Sequence, residues 1–256
     1  MKKETYLKIK KQKRRAKALA VLTALSLSLY AIKSNKTTSN DTIEEVYSYE
    51  PVEIVDMNGV LYPTIDEGFY NVDYDVFARM SIQLRDSYKY DGEMVEIIPE
   101  YQKLHALYTN DEYTYAISEN GNTGYVPNVL ITELPSNYIE VDISDQMVYI
   151  VNNNEIIHNC EVTTGKPGHE TDLGYTEIWA KNYNRKLSGK NYSRDVKYAF
   201  FFNNDEEAFH DARWRYEFGG EIYKTNGSLG CINMNIEDVK ILDEYTEVGT
   251  KVLVHK

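Results

Sequence analysis

Short runs that alternate apolar and polar residues, rich in Val, Ile and Tyr, most restrict the fold of this chain. Residues 139–143 alternate in this way and residues 146–151 are rich in β-branched and aromatic residues, and the two runs flank Ser144-Asp145, which predicts a β-hairpin. Further strand-like runs lie at 81–85, 95–98, 113–117, 124–127, 198–202 and 249–254. Gly, Asp and Asn, which favour turns, separate many of them. The sequence therefore predicts a mainly β protein.

The length of 256 residues is enough for two small domains or one large one. Four of the runs lie within residues 49–135 and the others within residues 138–256, so we expect two β-rich domains. In the second domain Asn235 is placed to cap a short helix, because Ile236, Val239 and Leu242 follow at helical spacing.

The N-terminus has a different composition. Residues 1–17 contain nine Lys or Arg and one Glu, and residues 18–32 contain no charged residue. A cleaved signal peptide and an uncleaved signal anchor both fit this pattern, but the long basic segment and the missing A-x-A-like cleavage site favour the anchor. We therefore predict a cytoplasmic segment (1–17), a single-pass transmembrane helix (18–32) and a polar spacer (33–48), with the remainder outside the cell membrane.

The exported part is acidic. Once the nine basic residues and one acidic residue of 1–17 are set aside, 19 Lys or Arg and 39 Asp or Glu remain, a net charge of −20. This excess disfavours nucleic acid or an anionic membrane surface as a partner of the exported domains. Solubility alone is a sufficient explanation for the charge.

The two cysteines, Cys160 and Cys231, would allow one disulfide in an oxidising compartment. Cys160 lies in an apolar strand pattern, so we expect both thiols to be free. The sequence has no C-x-x-C, H-E-x-x-H or EF-hand pattern, and we expect neither a metal nor a cofactor.

His210 and Cys231 are the strongest candidates for catalytic residues. A thiolate is the reactive form of cysteine, and a nearby imidazole lowers the thiol pKa and carries its proton. Gly230 leaves room for a substrate backbone, and the amides around Cys231 are candidates for binding an oxyanion. The alternative interpretation is that Cys231 is a small core residue.

The segment from Phe209 to Asn233 resembles the active site of L,D-transpeptidases, bacterial cell-wall enzymes with a YkuD-type catalytic domain. Its sequence contains FHDARWR, FGG and NGSLGCIN. The family pattern is a His, about 14 to 17 residues, then Ser/Thr-His-Gly-Cys, and 17 residues separate His210 from Ser228. Leu229 stands where the family usually has its second His. The resemblance covers residues 138–256 and includes VTTGKP and TDLG at 162–174, where Asp172 replaces the usual Pro.

The resemblance implies that Cys231 is the nucleophile and His210 its proton acceptor, with a backbone carbonyl near Asp211 orienting the imidazole. The Asp211 carboxylate is an alternative partner for His210. We assign the following residues to substrate binding or the oxyanion hole: Gly230, Ser228, Asp211, Arg213, Trp214 and Asn233. For Ser228 a role in holding the turn, and for Trp214 a place in the core, remain open.

The strand-like runs within residues 49–135, which end with Gly-Tyr-Val at 124–126, follow one another in an order similar to that of the strands in bacterial SH3-like domains. The expected fold is thus a small SH3-like β-barrel followed by a β-rich L,D-transpeptidase catalytic domain, a β-sandwich with short helices, behind an N-terminal membrane-anchor helix. The 23 tyrosines would suit stacking on sugars, but tyrosine is also a good strand former, and we favour the structural interpretation.

The resemblance implies a cysteine acyltransferase that forms 3→3 cross-links between peptidoglycan stem peptides through a thioester. Three alternatives remain: an L,D-carboxypeptidase in which water replaces the acceptor amine, an enzyme that attaches a protein to the wall, and a non-catalytic wall-binding protein. The presence of both Cys231 and His210 disfavours the last. The expected partners are donor and acceptor stem peptides and the membrane, and we expect a monomer whose catalytic domain faces the cell wall.

Overall fold

The computed structural model describes residues 54–55, 61–62, 68–189 and 192–256. The chain divides into two compact units, Met1–Phe69 and Tyr70–Lys256. In the first, β1 (Ile54–Val55) and β2 (Leu61–Tyr62) pair antiparallel. The predicted cytoplasmic segment, anchor helix and spacer lie outside the described residues. Among the helices that the structure does describe, none has the length and apolar character needed to cross a membrane.

The second unit begins with a seven-stranded antiparallel sheet in the order β5-β4-β8-β7-β6-β3-β9. Its strands are β3 (Tyr70–Ala78), β4 (Ile82–Arg85), β5 (Met94–Ile98), β6 (Lys103–Thr109), β7 (Tyr113–Ser118), β8 (Thr123–Pro127) and β9 (Ile131–Glu133). A 3-10 helix, η1 (Asn128–Leu130), precedes β9. Buried aliphatic residues from several strands, among them Val76, Leu84, Leu104 and Val126, form its core.

Two further sheets follow. The five-stranded sheet has the order β12-β11-β10-β18-β13, and its one parallel pair is β10–β18. Its strands are β10 (Tyr138–Asp142), β11 (Met147–Asn152), β12 (Glu155–Glu161), β13 (Gly174–Glu177) and β18 (Lys251–His255). The four-stranded sheet is formed by β14 (Ala180–Gly189), β15 (Tyr192–Phe201), β16 (Ala208–Asp211) and β17 (Ile232–Met234), in that order.

Two helices accompany these sheets, α1 (Ile222–Asn226) and α2 (Ile236–Tyr245). The Asn235 side chain caps α2 by accepting a hydrogen bond from the Glu237 N–H, and Val239 and Leu242 are buried, as the sequence predicts. One apolar core joins the two sheets and α2, with Ile139, Val148, Phe200, Phe209 and Leu242 among its buried members. The predicted hairpin is also confirmed, because β10 pairs antiparallel with β11.

The seven-stranded and five-stranded sheets contact each other through apolar and charged residues. Phe77 of β3 packs with Tyr138 of β10 and Leu253 of β18. Beside them, Lys103 of β6 forms an ion pair with the buried carboxylate of Glu140 on β10. The chain is mainly β, as the sequence predicts. The division into residues 49–135 and 138–256, and the SH3-like character of the first part, stay predictions.

Candidate active site

Cys231 ends a five-residue turn between α1 and β17, here called the cysteine loop (Gly227–Cys231). Ser228 fixes this loop to a neighbouring segment, since its N–H donates to Thr164 O at 3.0 Å and its carbonyl accepts from the Lys166 N–H at 3.1 Å. Gly227 is required by this close approach, because a Cβ there would lie 2.6 Å from the Lys166 nitrogen. The absence of a side chain at Gly227 is thus explained by the packing of backbone on backbone.

Hydrogen bonds between polar groups stabilise the cysteine loop. The Ser228 hydroxyl donates to the Cys231 carbonyl and accepts from the Gly230 N–H at 3.0 Å. The buried Thr171 hydroxyl donates to the Gly230 carbonyl at 2.6 Å. Gly230 has φ of +119°, a conformation that favours glycine. Ser228 therefore holds the turn, and it occupies the Gly230 N–H that the sequence suggested for the oxyanion hole.

The Cys231 sulfur is partly buried and accepts a hydrogen bond from the Ala208 N–H. Burial raises the pKa of the Cys231 thiol to about 11, and the negative charge of Glu207 adds to this effect. In the absence of substrate the thiol is thus protonated at neutral pH. Cys160 is also a free thiol, and burial raises its pKa as well.

His210 lies on β16 opposite Asn233 of the parallel strand β17. Side chains alternate along a strand, so Ala208 and His210 share one face of this sheet with Asn233. Cys231, which immediately precedes β17, is two residues before Asn233 and next to Ala208. The pairing of β16 with β17 therefore brings the two candidate catalytic residues to one side of the sheet.

The hydrogen bonds of His210 define its tautomer. Nδ1 lies 3.1 Å from the Asp211 carbonyl, which can only accept, so Nδ1 carries the hydrogen. The Asn233 amide fits its surroundings with Nδ2 donating to His210 Nε2 at 3.1 Å and the oxygen accepting from Arg215 at 3.1 and 3.2 Å. Nε2 thus carries no hydrogen, and its lone pair accepts the hydrogen bond from Asn233. Burial lowers the pKa of His210, which keeps the imidazole neutral.

The Asp211 carboxylate does not face the imidazole. It is fully buried and accepts hydrogen bonds from the N–H groups of Lys197 and Tyr198, at 2.6 and 2.8 Å, and from Arg213 Nε at 2.9 Å. The hydrogen bond between Asp211 and His210 is therefore made by the backbone carbonyl of Asp211. Arg213 is directed to this carboxylate and to the Asp195 carbonyl at 3.2 Å.

Trp214 and Leu229 are two large apolar residues of the motif that are exposed. The Trp214 ring lies 5.8 Å from the His210 ring, centroid to centroid, and is 39% exposed, so it covers one side of the imidazole without belonging to the core. Leu229 is 51% exposed. Its side chain therefore presents an apolar surface to solvent beside the cysteine loop.

Sequence reasoning missed three site residues: Thr171, Glu207 and Arg215. Thr171 and Glu207 both contact Gly230, and Arg215 binds the Asn233 amide that faces His210. They lie outside the Ser-x-Gly-Cys pattern, and Glu207 follows two other acidic residues, Asp205 and Glu206, from which the sequence does not distinguish it. The spacing from Arg215 to His210 was the one available signal, since it places both residues in the same motif segment.

Residues 136–254 match the YkuD family model, described as the L,D-transpeptidase catalytic domain. The search of curated proteins found no match. Among solved structures, the chain is 32% identical to the catalytic domain of the Enterococcus faecium L,D-transpeptidase, which covers 48% of this chain and 98% of that one with a TM-score of 0.45. A mutant of that L,D-transpeptidase is 22% identical, covering 70% and 75% at a TM-score of 0.48. An L,D-transpeptidase of Mycobacterium tuberculosis is 17% identical, covering 72% and 80% at a TM-score of 0.43.

Residues 136–254 are thus an L,D-transpeptidase catalytic domain of the YkuD family. A catalytic domain of this kind implies acyltransferase-type chemistry for residues 136–254.

Proposed function

We propose that this chain is a peptidoglycan L,D-transpeptidase that forms 3→3 cross-links through a thioester on Cys231. The observation that carries the proposal is the tautomer of His210, whose Nε2 lone pair lies on the same side of the sheet as Cys231 in a domain of this family. A neutral imidazole whose Nε2 carries no hydrogen is the form that accepts a thiol proton.

In the first half-reaction, the Cys231 sulfur attacks the carbonyl that joins the third, diamino residue of a donor stem peptide to the fourth-position D-Ala. The thiol proton passes to His210 Nε2 as the S–C bond forms. The C–N bond then breaks, and His210 returns the proton to the departing D-Ala amine, which leaves a thioester. The hydrogen bond from Asn233 Nδ2 to His210 Nε2 must break before Nε2 can accept the thiol proton.

In the second half-reaction, the side-chain amine of another stem's third residue attacks the thioester carbonyl. The amine proton passes to His210 and then to the departing sulfur, which regenerates the thiol. The peptide bond energy is conserved in the thioester, so no nucleotide cofactor is required. Because Ser228 occupies the Gly230 N–H, the Cys231 N–H is our candidate donor to the oxyanion.

The raised thiol pKa defines when the nucleophile forms. A thiol with a pKa near 11 is largely unreactive at neutral pH, so the thiolate arises together with proton transfer to His210 and does not pre-exist. This keeps the resting site resistant to adventitious alkylation. The expected cost is a reaction rate that depends strongly on His210.

We further propose that the catalytic domain works outside the cell membrane, attached by the helix predicted at residues 18–32, and that residues 49–135 are an SH3-like module facing the wall. The net charge of −20 beyond residue 17 suits a soluble exported protein. Stem peptides are its proposed donor and acceptor.

The test is mass spectrometry of the purified chain from residue 33 onward after incubation with a disaccharide-tetrapeptide. We expect loss of D-Ala, a transient thioester on the protein and a cross-linked dimer of stem peptides. Trimmed tripeptide without dimer would assign the carboxypeptidase reaction instead. Unchanged tetrapeptide, with no mass added to the protein, would contradict both activities.

A further inference from the structure

Glu207 places a buried carboxyl group beside the Cys231 thiol. The residue immediately precedes β16 and is 6% exposed. Its carboxyl packs on the cysteine loop so closely that a Cβ added to Gly230 would lie 2.3 Å from Oε1. The next residue, Ala208, donates its N–H to the Cys231 sulfur. The carboxyl and the thiol therefore occupy one buried corner of the site.

The Glu207 carboxyl is held in place from two sides. Asn203 Nδ2 donates to Oε2 at 2.8 Å, and the Asp172 N–H lies 3.3 and 3.2 Å from the two carboxyl oxygens. The Glu207 N–H in turn donates to Asn203 Oδ1 at 2.9 Å. These bonds fix the side chain against Gly230.

The titratable groups that face Glu207 are all acids. They are Asp172 from the loop before β13, Asp205 from its own loop and Cys231 from the cysteine loop. Within the described residues, no Lys or Arg is among the groups that act on this carboxyl. Burial raises the pKa of Glu207 to about 7. The charges of Asp172 and Asp205 also raise it, whereas the hydrogen bonds from the Asp172 N–H and from Asn203 act to lower it. Both protonation states are therefore populated near neutral pH.

We propose that Glu207 is a positioning residue that controls formation of the Cys231 thiolate, which forms more easily when this carboxyl is uncharged than when it is charged. A negative charge next to the sulfur disfavours the thiolate by direct repulsion, whereas a neutral carboxyl does not. The inference rests on the proposed function only in taking the thiolate of Cys231 as the nucleophile.

This arrangement predicts a particular pH dependence. As pH rises through the titration of Glu207, its new charge opposes ionisation of Cys231, so thiolate formation increases less steeply than for an isolated thiol. Replacing Glu207 with glutamine removes the charge and keeps an amide of similar shape. The thiolate population should then increase smoothly with pH.

Alkylation by iodoacetamide tests this directly, because the thiolate forms an S–C bond and iodide leaves, with no transpeptidase activity required. The measurement is the rate of mass addition to Cys231 between about pH 6 and pH 9, on a Cys160→Ala background that leaves one thiol. We expect Glu207→Gln to react roughly ten-fold faster than its parent at pH 8, the change in thiolate population that one pKa unit produces. The inflection near pH 7 should also disappear.

Glu206→Gln is the matched control, because Glu206 is the exposed neighbour of Glu207 and makes the same change of charge. It should leave the rate and the inflection as in the parent. An identical alkylation profile for Glu207→Gln and Glu206→Gln would overturn the proposal.

A second variant covers the case in which Glu207→Gln fails to fold. Asn203→Asp keeps the acceptor for the Glu207 N–H and replaces the donor to Oε2 with a carboxylate, which holds Glu207 uncharged to higher pH. The inflection should therefore move to higher pH, and an unmoved inflection would contradict the proposal. If alkylation responds as expected but stem peptides never acylate Cys231, the proposed function fails while the inference about Glu207 stands.

Discussion

Two glutamates are buried in this unit, and their surroundings differ in the sign of the neighbouring charges. Glu140, in the contact between the seven-stranded and five-stranded sheets, forms an ion pair with Lys103 and a 3.1 Å contact with His255 Nε2. Burial acts to raise the pKa of Glu140, but the charge of Lys103 and the hydrogen bond from His255 lower it below its usual range. Glu207, which has acids as neighbours, has a raised pKa instead.

The two buried histidines show the same difference. Burial opposes the charged form of His255, but the hydrogen bond to Glu140 and the charges of Glu140, Glu119 and Asp142 raise its pKa. For His210 burial prevails and lowers the pKa, since a backbone carbonyl and an amide are its partners.

The comparison separates a structural region from a reactive one. Where buried charges are paired, as around Glu140, the protonation states are fixed and the groups join two sheets. Around Cys231, a buried carboxyl, imidazole and thiol take part in none of the ion pairs among the described residues, and burial shifts the pKa of each group towards its uncharged form. The following predictions test this contrast.

The largest expected effect is on reactivity at His210. His210→Ala should lower the acylation rate of Cys231 by roughly 10²–10⁴-fold, the usual range for a lost general base, because the neutral imidazole is the proposed acceptor of the thiol proton. Stopped-flow measurement of adduct formation with a carbapenem gives the rate.

His255→Gln is the control for a buried histidine, since it removes an imidazole from the paired region. It should destabilise the fold and leave the acylation rate of the folded protein within a few-fold of wild type. If His210→Ala reacts as fast as His255→Gln at neutral pH, another group removes the thiol proton and the contrast fails.

The next effect is on stability. Lys103→Met leaves Glu140 buried without its cation, and we expect the free energy of unfolding at pH 7 to fall by about 3–5 kcal/mol, the usual cost of breaking a buried ion pair. Urea unfolding followed by circular dichroism measures this loss. The double variant Lys103→Met/Glu140→Leu should recover part of it, because the unpaired carboxylate of Glu140 is removed while His255 loses its partner.

The pH dependence of this effect has a defined sign. In the wild type the folded pKa of Glu140 is lowered, so its contribution to stability is present above the ordinary pKa near 4.5 and is lost as pH falls towards the folded value. Without Lys103 the folded pKa of Glu140 rises, and the deficit should shrink on acidification. A deficit that is equal at pH 5 and pH 7 would show that Glu140 is not the group destabilised.

The sequence predicts the parts of this fold that depend on local pattern. The hairpin at 139–151 and the cap at Asn235 follow from alternation and side-chain chemistry, and β10, β11 and α2 confirm them. By contrast, the sequence does not predict β3 and β6, because the burial of their residues does not alternate and their pairing with neighbouring strands is interrupted by shifts in register.

The candidate site divides in the same way. Cys231 and His210 stand out because their motif is contiguous, and the contact between the Asp211 carbonyl and His210 agrees with the expected orienting carbonyl. Glu207 and Thr171 contact the cysteine loop only through tertiary packing, so no spacing in the sequence predicts their place in the site. The direction of the Asp211 carboxylate, towards the backbone of β15, is also set by packing.

The smallest expected effect is at Leu229, the exposed residue where the family usually has its second His. Leu229→His should retain acylation and change its rate by no more than about ten-fold, roughly 1.4 kcal/mol, because the side chain lies outside the buried corner that holds the thiol. Leu229→Asp should be slower, since another carboxylate near Cys231 raises the thiol pKa further. Activity that arises only in Leu229→His would favour the non-catalytic interpretation.

The most direct test of the central claim is to locate the acyl group. Intact-mass spectrometry and peptide mapping after incubation with a carbapenem would be applied to the wild type, Cys231→Ala and Cys160→Ala. We predict one adduct on the peptide that contains Cys231 in the wild type and in Cys160→Ala, and none in Cys231→Ala. An undiminished adduct in Cys231→Ala would contradict the assignment of Cys231 as the nucleophile.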